Sequence, residues 1–397
     1  MDFSIPKATQ DMLARMREIM ETDVYPIEKI AQGEGWDAAV RALQPVRAKV
    51  KAAGLWAPQM PKDAGGMGLP LLDHGLASEV MGASPFGNYA FGCQAPDAGN
   101  MEILHKFGTD EQKAKYLAPL VAGEIRSCFS MTEPDTPGSN PTELACRADK
   151  DGDDYVINGH KWFTTAADGA TFAIVMAVTN PDAAPHMRAS QIIVPTDTPG
   201  FEHIRKISIM GHEGAGWGSH SELEYVNCRV PRANVLGEEG AGFLIAQERL
   251  GPGRIHHCMR WLGICERAFD LMCKRAVSRD MGGGKTLATK QIVQAWVAEC
   301  RAKMHAARWA ILSTAWKIDS EGFYAAREEV SLIKFYVAEV LAEVIDRAIQ
   351  THGALGITDD TILAHFYAHE RASRIYDGPD EVHKVVVAKR ILARYQQ

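Results

Sequence analysis

No two of the eight cysteines stand in a C-x-x-C pair, which removes the usual sequence basis for a zinc site or a disulfide frame. Cys93, Cys128, Cys146, Cys228, Cys258, Cys265, Cys273 and Cys300 are scattered instead. The string His256-His257-Cys258 invites a metal reading, but adjacent helical residues point about 100° apart and cannot converge on one ion. These three are expected to be packing residues, and no metal is expected. A basic block is also missing: 43 Lys and Arg stand against 50 Asp and Glu, a net charge of −7. Nucleic-acid binding needs clustered cations on one face, so it is not expected. No apolar run approaches membrane-spanning length. The opening segment, MDFSIPKATQDMLARM, has no signal-peptide apolar core and is not rich in Arg or Ser. A cytoplasmic location is the expectation.

What is present is an ordinary globular balance, 46% hydrophobic and 23% charged, over 397 residues, enough for two or three packed units. Residues 7 to about 120 read as helices. Apolar residues recur at three-to-four spacing in Met12-Leu13-Met16-Ile19-Met20 and in Val40-Leu43-Val46-Val50. Short β-rich runs follow: 154–157, 160–165, 172–178, 191–195 and 222–226. Asn158-Gly159 between the first two predicts a type I′ hairpin turn. From Gly240 the helical period returns, over about 245–279, 287–318, 322–351 and 380–395. Gly251-Pro252-Gly253 should kink or interrupt the first of these. The expected organisation is an N-terminal helical domain over 1–126, a middle antiparallel β domain over 127–238 and a C-terminal helical bundle over 239–397, an α+β fold.

Two glycine clusters fail as nucleotide motifs. Gly282-Gly283-Gly284-Lys285-Thr286 has Arg279 where a phosphate loop needs its first Gly, and no strand precedes it. Gly211, Gly214, Gly216 and Gly218 lack the G-x-G-x-x-G spacing. Both are expected to be loops.

Five strings, in order along the chain, carry a resemblance. They are Cys128-Phe129-Ser130-Met131-Thr132-Glu133-Pro134 with Gly138-Ser139-Asn140, then Ile157 to Thr165. Arg229-Val230-Pro231 with Asn234-Val235-Leu236-Gly237 and Gly240-Ala241-Gly242-Phe243 comes next. Gln350-Thr351-His352-Gly353-Ala354-Leu355-Gly356 and Arg374-Ile375-Tyr376-Asp377-Gly378 complete the series. Together they resemble the acyl-CoA dehydrogenase family, and the stretch Tyr376 to His383 most resembles its members ten and eleven. The resemblance implies a four-helix C-terminal bundle, FAD, an acyl-CoA substrate, electron-transfer flavoprotein as partner, and a homodimer or homotetramer. It places Thr132 against the isoalloxazine, with Phe129 and Met131 over one face. It puts Phe163 where the family has Trp and Thr165 near flavin N5. Strand threonines and a solvated turn serine are the plain alternatives for Thr132, Thr165 and Ser139. Ser139 matches a residue touching acyl-CoA or flavin phosphates, in a loop one residue longer than the usual pattern. Arg279, Gln350, Gly353 and Gly356 resemble residues that bind the FAD pyrophosphate and adenine across a subunit interface. Arg suits phosphate through its fork, and glycines admit close backbone approach.

Abstraction of the α-proton needs a carboxylate about 3 Å from it in a dry site. The family's usual base is a Glu directly before the Gly of Tyr-Glu-Gly; Asp377 stands there, one methylene shorter, followed by Gly378. Glu248, at a helical position where some family members carry their base, is the rival. Arg249 could orient either carboxylate or contact the substrate. The plain alternatives are a turn aspartate and an exposed helix glutamate. Three functions stay open: a dehydrogenase, an oxidase of the same fold such as a nitroalkane oxidase, and a non-catalytic acyl-CoA-binding scaffold. Acyl length and branching are not legible.

Overall fold

The structure, a computed structural model, describes residues 4–396. The chain forms two compact units. One gathers the residues up to Leu55, Leu69–Phe91 and everything from Pro252 onward; the other gathers Trp56–Gly68 and Gly92–Gly251. Among the described residues, no helix is long and apolar enough to cross a membrane.

The first unit is helical. The three-to-four apolar spacing does its expected work: helix Lys7–Ile19 buries Leu13, Met16 and Ile19, and helix Trp36–Ala52 buries Ala39, Leu43, Val46 and Val50. Four long helices make the C-terminal bundle: Gly242–Ser278 from Pro252 on, Gln291–Glu321, Arg327–His352 and Asp380–Ala393. Arg301 grips Glu266 with both ends of its fork, at 2.8 and 3.0 Å. Arg267 does the same to the largely buried Glu28, both contacts at 2.6 Å, tying helix Tyr25–Glu34 to the bundle. The Gly251-Pro252-Gly253 string, expected to kink or interrupt this helix, does not end the helical span Gly242–Ser278; the side chains of Leu250 to Pro252 lie outside the described residues.

The second unit holds one eight-stranded sheet. Its strands are β1 (Ser127–Ser130), β2 (Arg147–Asp151), β3 (Asp154–Thr165), β4 (Phe172–Val178), β5 (Ala189–Pro195), β6 (Phe201–Lys206), β7 (His220–Pro231) and β8 (Val235–Leu236). The spatial order is β6-β7-β3-β2-β4-β5-β8, with β1 beside β4. The sheet is mixed rather than wholly antiparallel, because β1 and β2 both run parallel to β4. Those pairings join strands that are not linked by a tight turn, so local turn signals could not register them. β4 is buried at every position, which is what its unbroken apolar run requires.

Asn158-Gly159 is not a hairpin turn. It lies inside the continuous strand β3, where the register against β7 shifts between Ile157 and Gly159. A Cβ at Gly159 would sit 2.6 Å from the Cys146 Cβ, so close strand packing rather than a turn demands the glycine. The Asn158 side chain accepts the Asn227 backbone N–H at 2.8 Å. The tight turn is one step earlier, at Gly152-Asp153 between the paired residues Asp151 and Asp154, with Gly152 at φ +62°.

Candidate functional site

In the second unit, the loop after β1 is fixed from below by one buried ion pair. Glu133 and Lys161 meet at 2.8 Å with their side chains 3% and 0% exposed. The Glu133 carboxylate also accepts the backbone N–H groups of Ala145 and Cys146, at 2.6 and 2.9 Å, and the Thr136 hydroxyl at 3.1 Å. Lys161 donates a second bond to the Met131 carbonyl at 2.8 Å. Burial pushes the Glu133 carboxyl up, but the Lys161 ammonium and the two backbone donors outweigh it and hold it below its ordinary value. The pair therefore pins Met131 and the start of the Thr132 turn. The Thr132 carbonyl accepts the Trp162 N–H at 3.0 Å, which couples that turn to β3.

At that point β3 bulges: its register against β7 shifts between Lys161 and Thr164. Phe163 sits in the bulge at φ +50° and is 41% exposed. A left-handed non-glycine residue costs about 1–3 kcal/mol, and such strain collects at functional positions. The buried Nε1 of Trp162 has no hydrogen-bond partner among the described residues. Thr165 Oγ1 lies 2.8 Å from His220 Nδ1. Phe129 and Met131 are partly buried and pack on Met176, Ala189 and Ala246. The Arg249 guanidinium lies 4.3 Å from the Phe129 ring centre and donates to Asn100 at 3.2 Å. Glu102 nearby is pushed up to about 7 by burial, against the pull of Arg249. Glu248 pairs with the exposed Lys106 at 2.5 Å. Ser139 is exposed on the loop after Thr132.

In the first unit the segment Ser373–Asp380 is clamped by its backbone. The buried Lys334 ammonium donates to the carbonyls of Ser373 and Gly378, at 2.6 and 2.9 Å. The Asp377 carbonyl accepts from Arg254 Nε at 3.3 Å and from His383 Nε2 at 3.0 Å. Asp377 itself holds φ +54°. At Gly378 the chain passes so close to His383 that a Cβ would lie 2.7 Å from Nε2, at a φ of +97°. Tyr376 is anchored in turn: its hydroxyl accepts from Arg260 at 2.7 Å and from Trp261 Nε1 at 2.9 Å. Arg260 also grips Glu370 at 2.5 and 3.0 Å. Burial lowers the Lys334 ammonium from its ordinary value, and the Asp380 and Asp377 carboxylates oppose that without cancelling it. The Asp377 carboxylate lies 3.1 Å from His257 Nε2.

His257 is the functional neighbour that the sequence did not reveal. The string His256-His257-Cys258 does splay as helical geometry requires. His256 lies against His74 with ring centres 3.8 Å apart and planes tilted by 41°, Cys258 is buried, and His257 turns to Asp377. A cation found at Asp377 is Arg254, five residues after the Arg249 singled out from the sequence. The remaining predicted residues in this unit are spread out. Arg279 and Gln350 are exposed, Gly356 is buried, and Gly353 is exposed at φ +63° with open space where a Cβ would be. Gly282 to Gly284 form an exposed turn, all at positive φ, between two helices.

The adjoining buried histidines carry a pH prediction. Burial drives the His74 imidazole down to about 3 and His256 well below its ordinary value, so both are neutral in the folded chain. Unfolded histidines titrate near 6.5. Below that pH the unfolded chain binds protons that the folded chain refuses, so stability falls as pH drops from about 6.5 toward 3. Each such histidine removes about 2 kcal/mol by pH 5. The melting temperature of His74→Gln should therefore fall less between pH 7 and pH 5 than that of the wild type. Parallel curves would show that His74 is protonated in the fold.

Comparisons with known proteins bear on the family. Sequence models of the acyl-CoA dehydrogenase N-terminal, middle and C-terminal domains match residues 6–124, 128–228 and 240–392. The "Probable acyl-CoA dehydrogenase FadE2" of Mycobacterium tuberculosis is 44% identical, over 99% of this chain and 98% of that protein. Acyl-CoA dehydrogenase family member 11 of Gallus gallus is 43% identical, over 96% of this chain; the match spans 50% of that longer protein, so this chain corresponds to about half of it. The structure of butyryl-CoA dehydrogenase from Megasphaera elsdenii superimposes with a TM-score of 0.84 at 26% identity, over 99% of this chain and 100% of that one. With three domain models in order and near-complete coverage by relatives above the 40% level, the chain belongs to the acyl-CoA dehydrogenase family.

Proposed function

We propose that the chain binds FAD and an acyl-CoA thioester, and that Asp377 removes the α-proton while the β-hydrogen leaves as hydride to flavin N5. Electrons then pass to an electron-transfer flavoprotein. The observation that carries this reading is the clamped Asp377-Gly378 segment: a carboxylate at a strained, over-determined backbone position, at the place where the family's sequence pattern has its base.

The residues present suit a flavin. The strained, exposed Phe163 and the unpartnered Trp162 Nε1 lie beside the pinned Met131-Thr132 turn, an arrangement with no evident purpose in a plain sheet. Phe129, Met131, Thr132, Phe163 and Thr165 would hold the isoalloxazine. Arg279, Gln350, Gly353 and Gly356 would hold the pyrophosphate and adenine of FAD in a second copy, which makes a homodimer or homotetramer part of the proposal; the open, positive-φ Gly353 supports it. When bound, FAD supplies the two-electron acceptor that no side chain here can provide. The protein's own task is to orient the thioester, exclude water and accept one proton on Asp377. Ser139, Arg249 and the Gly378 backbone remain the proposed substrate contacts.

Purified protein is expected to be yellow, and anaerobic acyl-CoA to bleach it. A panel of thioesters of different length and branching ranks the substrates by bleaching rate. Glu248→Gln should bleach within about threefold of wild type, since an exposed ion pair such as Glu248–Lys106 contributes little. Fast reoxidation by air, without an electron-transfer flavoprotein, would make the protein an oxidase. Colourless protein that still bound acyl-CoA would make it a scaffold.

A further inference from the structure

We infer that His257 is a positioning residue for the base: its Nε2–H holds one oxygen of the Asp377 carboxylate and so fixes where the other oxygen meets the α-proton. The inference rests on Asp377 being the base. It starts from a problem of reach. An Asp at this position is one methylene shorter than Glu, and a carboxylate misplaced by about 1 Å can lose on the order of a hundredfold in rate. The backbone has little room to adjust, because Arg254 and His383 hold the Asp377 carbonyl and Lys334 holds those of Gly378 and, upstream, Ser373. The two side-chain torsions alone then decide where the carboxylate lies.

His257 Nε2, 3.1 Å from Oδ2, constrains those torsions. Its own ring is held. It lies 5.2 Å from the Tyr376 ring and 6.1 Å from Trp261, the latter nearly parallel at 25°, and both of those rings are fixed by the shared Tyr376 hydroxyl. The two side chains are 25% and 20% exposed, so water weakens the contact only in part. The proton balance is simple. The α C–H bond breaks, an O–H bond forms on Asp377, and His257 keeps its own proton throughout. Arg254, Lys334 and His383 hold backbone carbonyls of the segment and also feel the Asp377 charge, and His257 Nε2 lies 3.1 Å from its carboxylate.

The test compares His257→Leu with His257→Gln in anaerobic stopped-flow reduction by an acyl-CoA that bleaches the wild type. The leucine variant removes the donor. Its rate of flavin reduction should fall at least about tenfold, with acyl-CoA affinity changed less than about threefold. The glutamine variant returns an N–H near the same place and should recover to within about threefold of wild type. A second measurement does not depend on turnover. The losses in melting temperature caused by His257→Leu and Asp377→Ala should not add in the double variant, because each removes one partner of the same contact. Wild-type reduction by His257→Leu, a glutamine variant as slow as the leucine one, or additive melting losses would overturn the inference. Full bleaching by Asp377→Asn would instead remove the base assignment beneath it.

Discussion

Asp377→Asn is expected to stop anaerobic bleaching by acyl-CoA, slowing flavin reduction by about a thousandfold or more while the protein stays yellow and still binds the thioester. The size follows from deleting a general base whose contribution alone is typically 10²–10⁴-fold. Retention of cofactor and substrate follows from the clamp. Lys334, Arg254 and His383 hold backbone carbonyls, and an isosteric amide leaves all three bonds in place. Asp377→Glu is the sharper companion. Because the backbone has little room to withdraw, the longer side chain overshoots, and reduction should slow by about a hundredfold rather than be restored. Rapid-scan absorbance at the flavin band measures both. Should Asp377→Asn bleach normally and Glu248→Gln fail, the base is Glu248, and the Lys106 pairing must open during turnover.

The fold was legible where one local rule acted alone. Leu13, Met16 and Ile19 declare a buried helix face by spacing, and the apolar run of β4 declares a strand covered on both sides. Legibility failed where a distant neighbour overrode the local signal. Asn158-Gly159 has the composition of a turn, yet Cys146, just before β2, leaves no room for a Cβ at Gly159, and the dipeptide stays within β3. Pro252 should kink or interrupt a helix, yet the helical span Gly242–Ser278 runs past it. The candidate site shows the same division. Asp377 could be singled out by the pattern around it, but apart from His383 its companions come from positions more than 40 residues away, and nothing near Lys334 or His257 in sequence announces them. Helical divergence sends His256, His257 and Cys258 to different neighbours. The same divergence is what frees His257 to face Asp377, a consequence that only the folded neighbour makes visible.

The largest expected loss of stability lies at Lys161 and Glu133. Replacing one member of a buried, hydrogen-bonded pair leaves the other charge without its counterion, and Lys161→Met should cost about 3–5 kcal/mol. The consequence for function is specific, because Lys161 also holds the Met131 carbonyl and Glu133 joins the loop to the Ala145 and Cys146 amides. A loosened Met131-Thr132 turn should bind flavin poorly, so the ratio of flavin to protein absorbance should fall even in the fraction that folds. Adding Glu133→Gln to Lys161→Met tests the cause. The amide oxygen can still accept a backbone N–H, and the stranded carboxylate charge is gone, so the double variant should be more stable than Lys161→Met alone. Pure loss of packing volume predicts the reverse order, with each substitution adding its own damage. Thermal unfolding of the three proteins, read beside their flavin content, separates the two. A Lys161→Met protein with wild-type melting temperature and full flavin would show that the loop is held by something other than this pair.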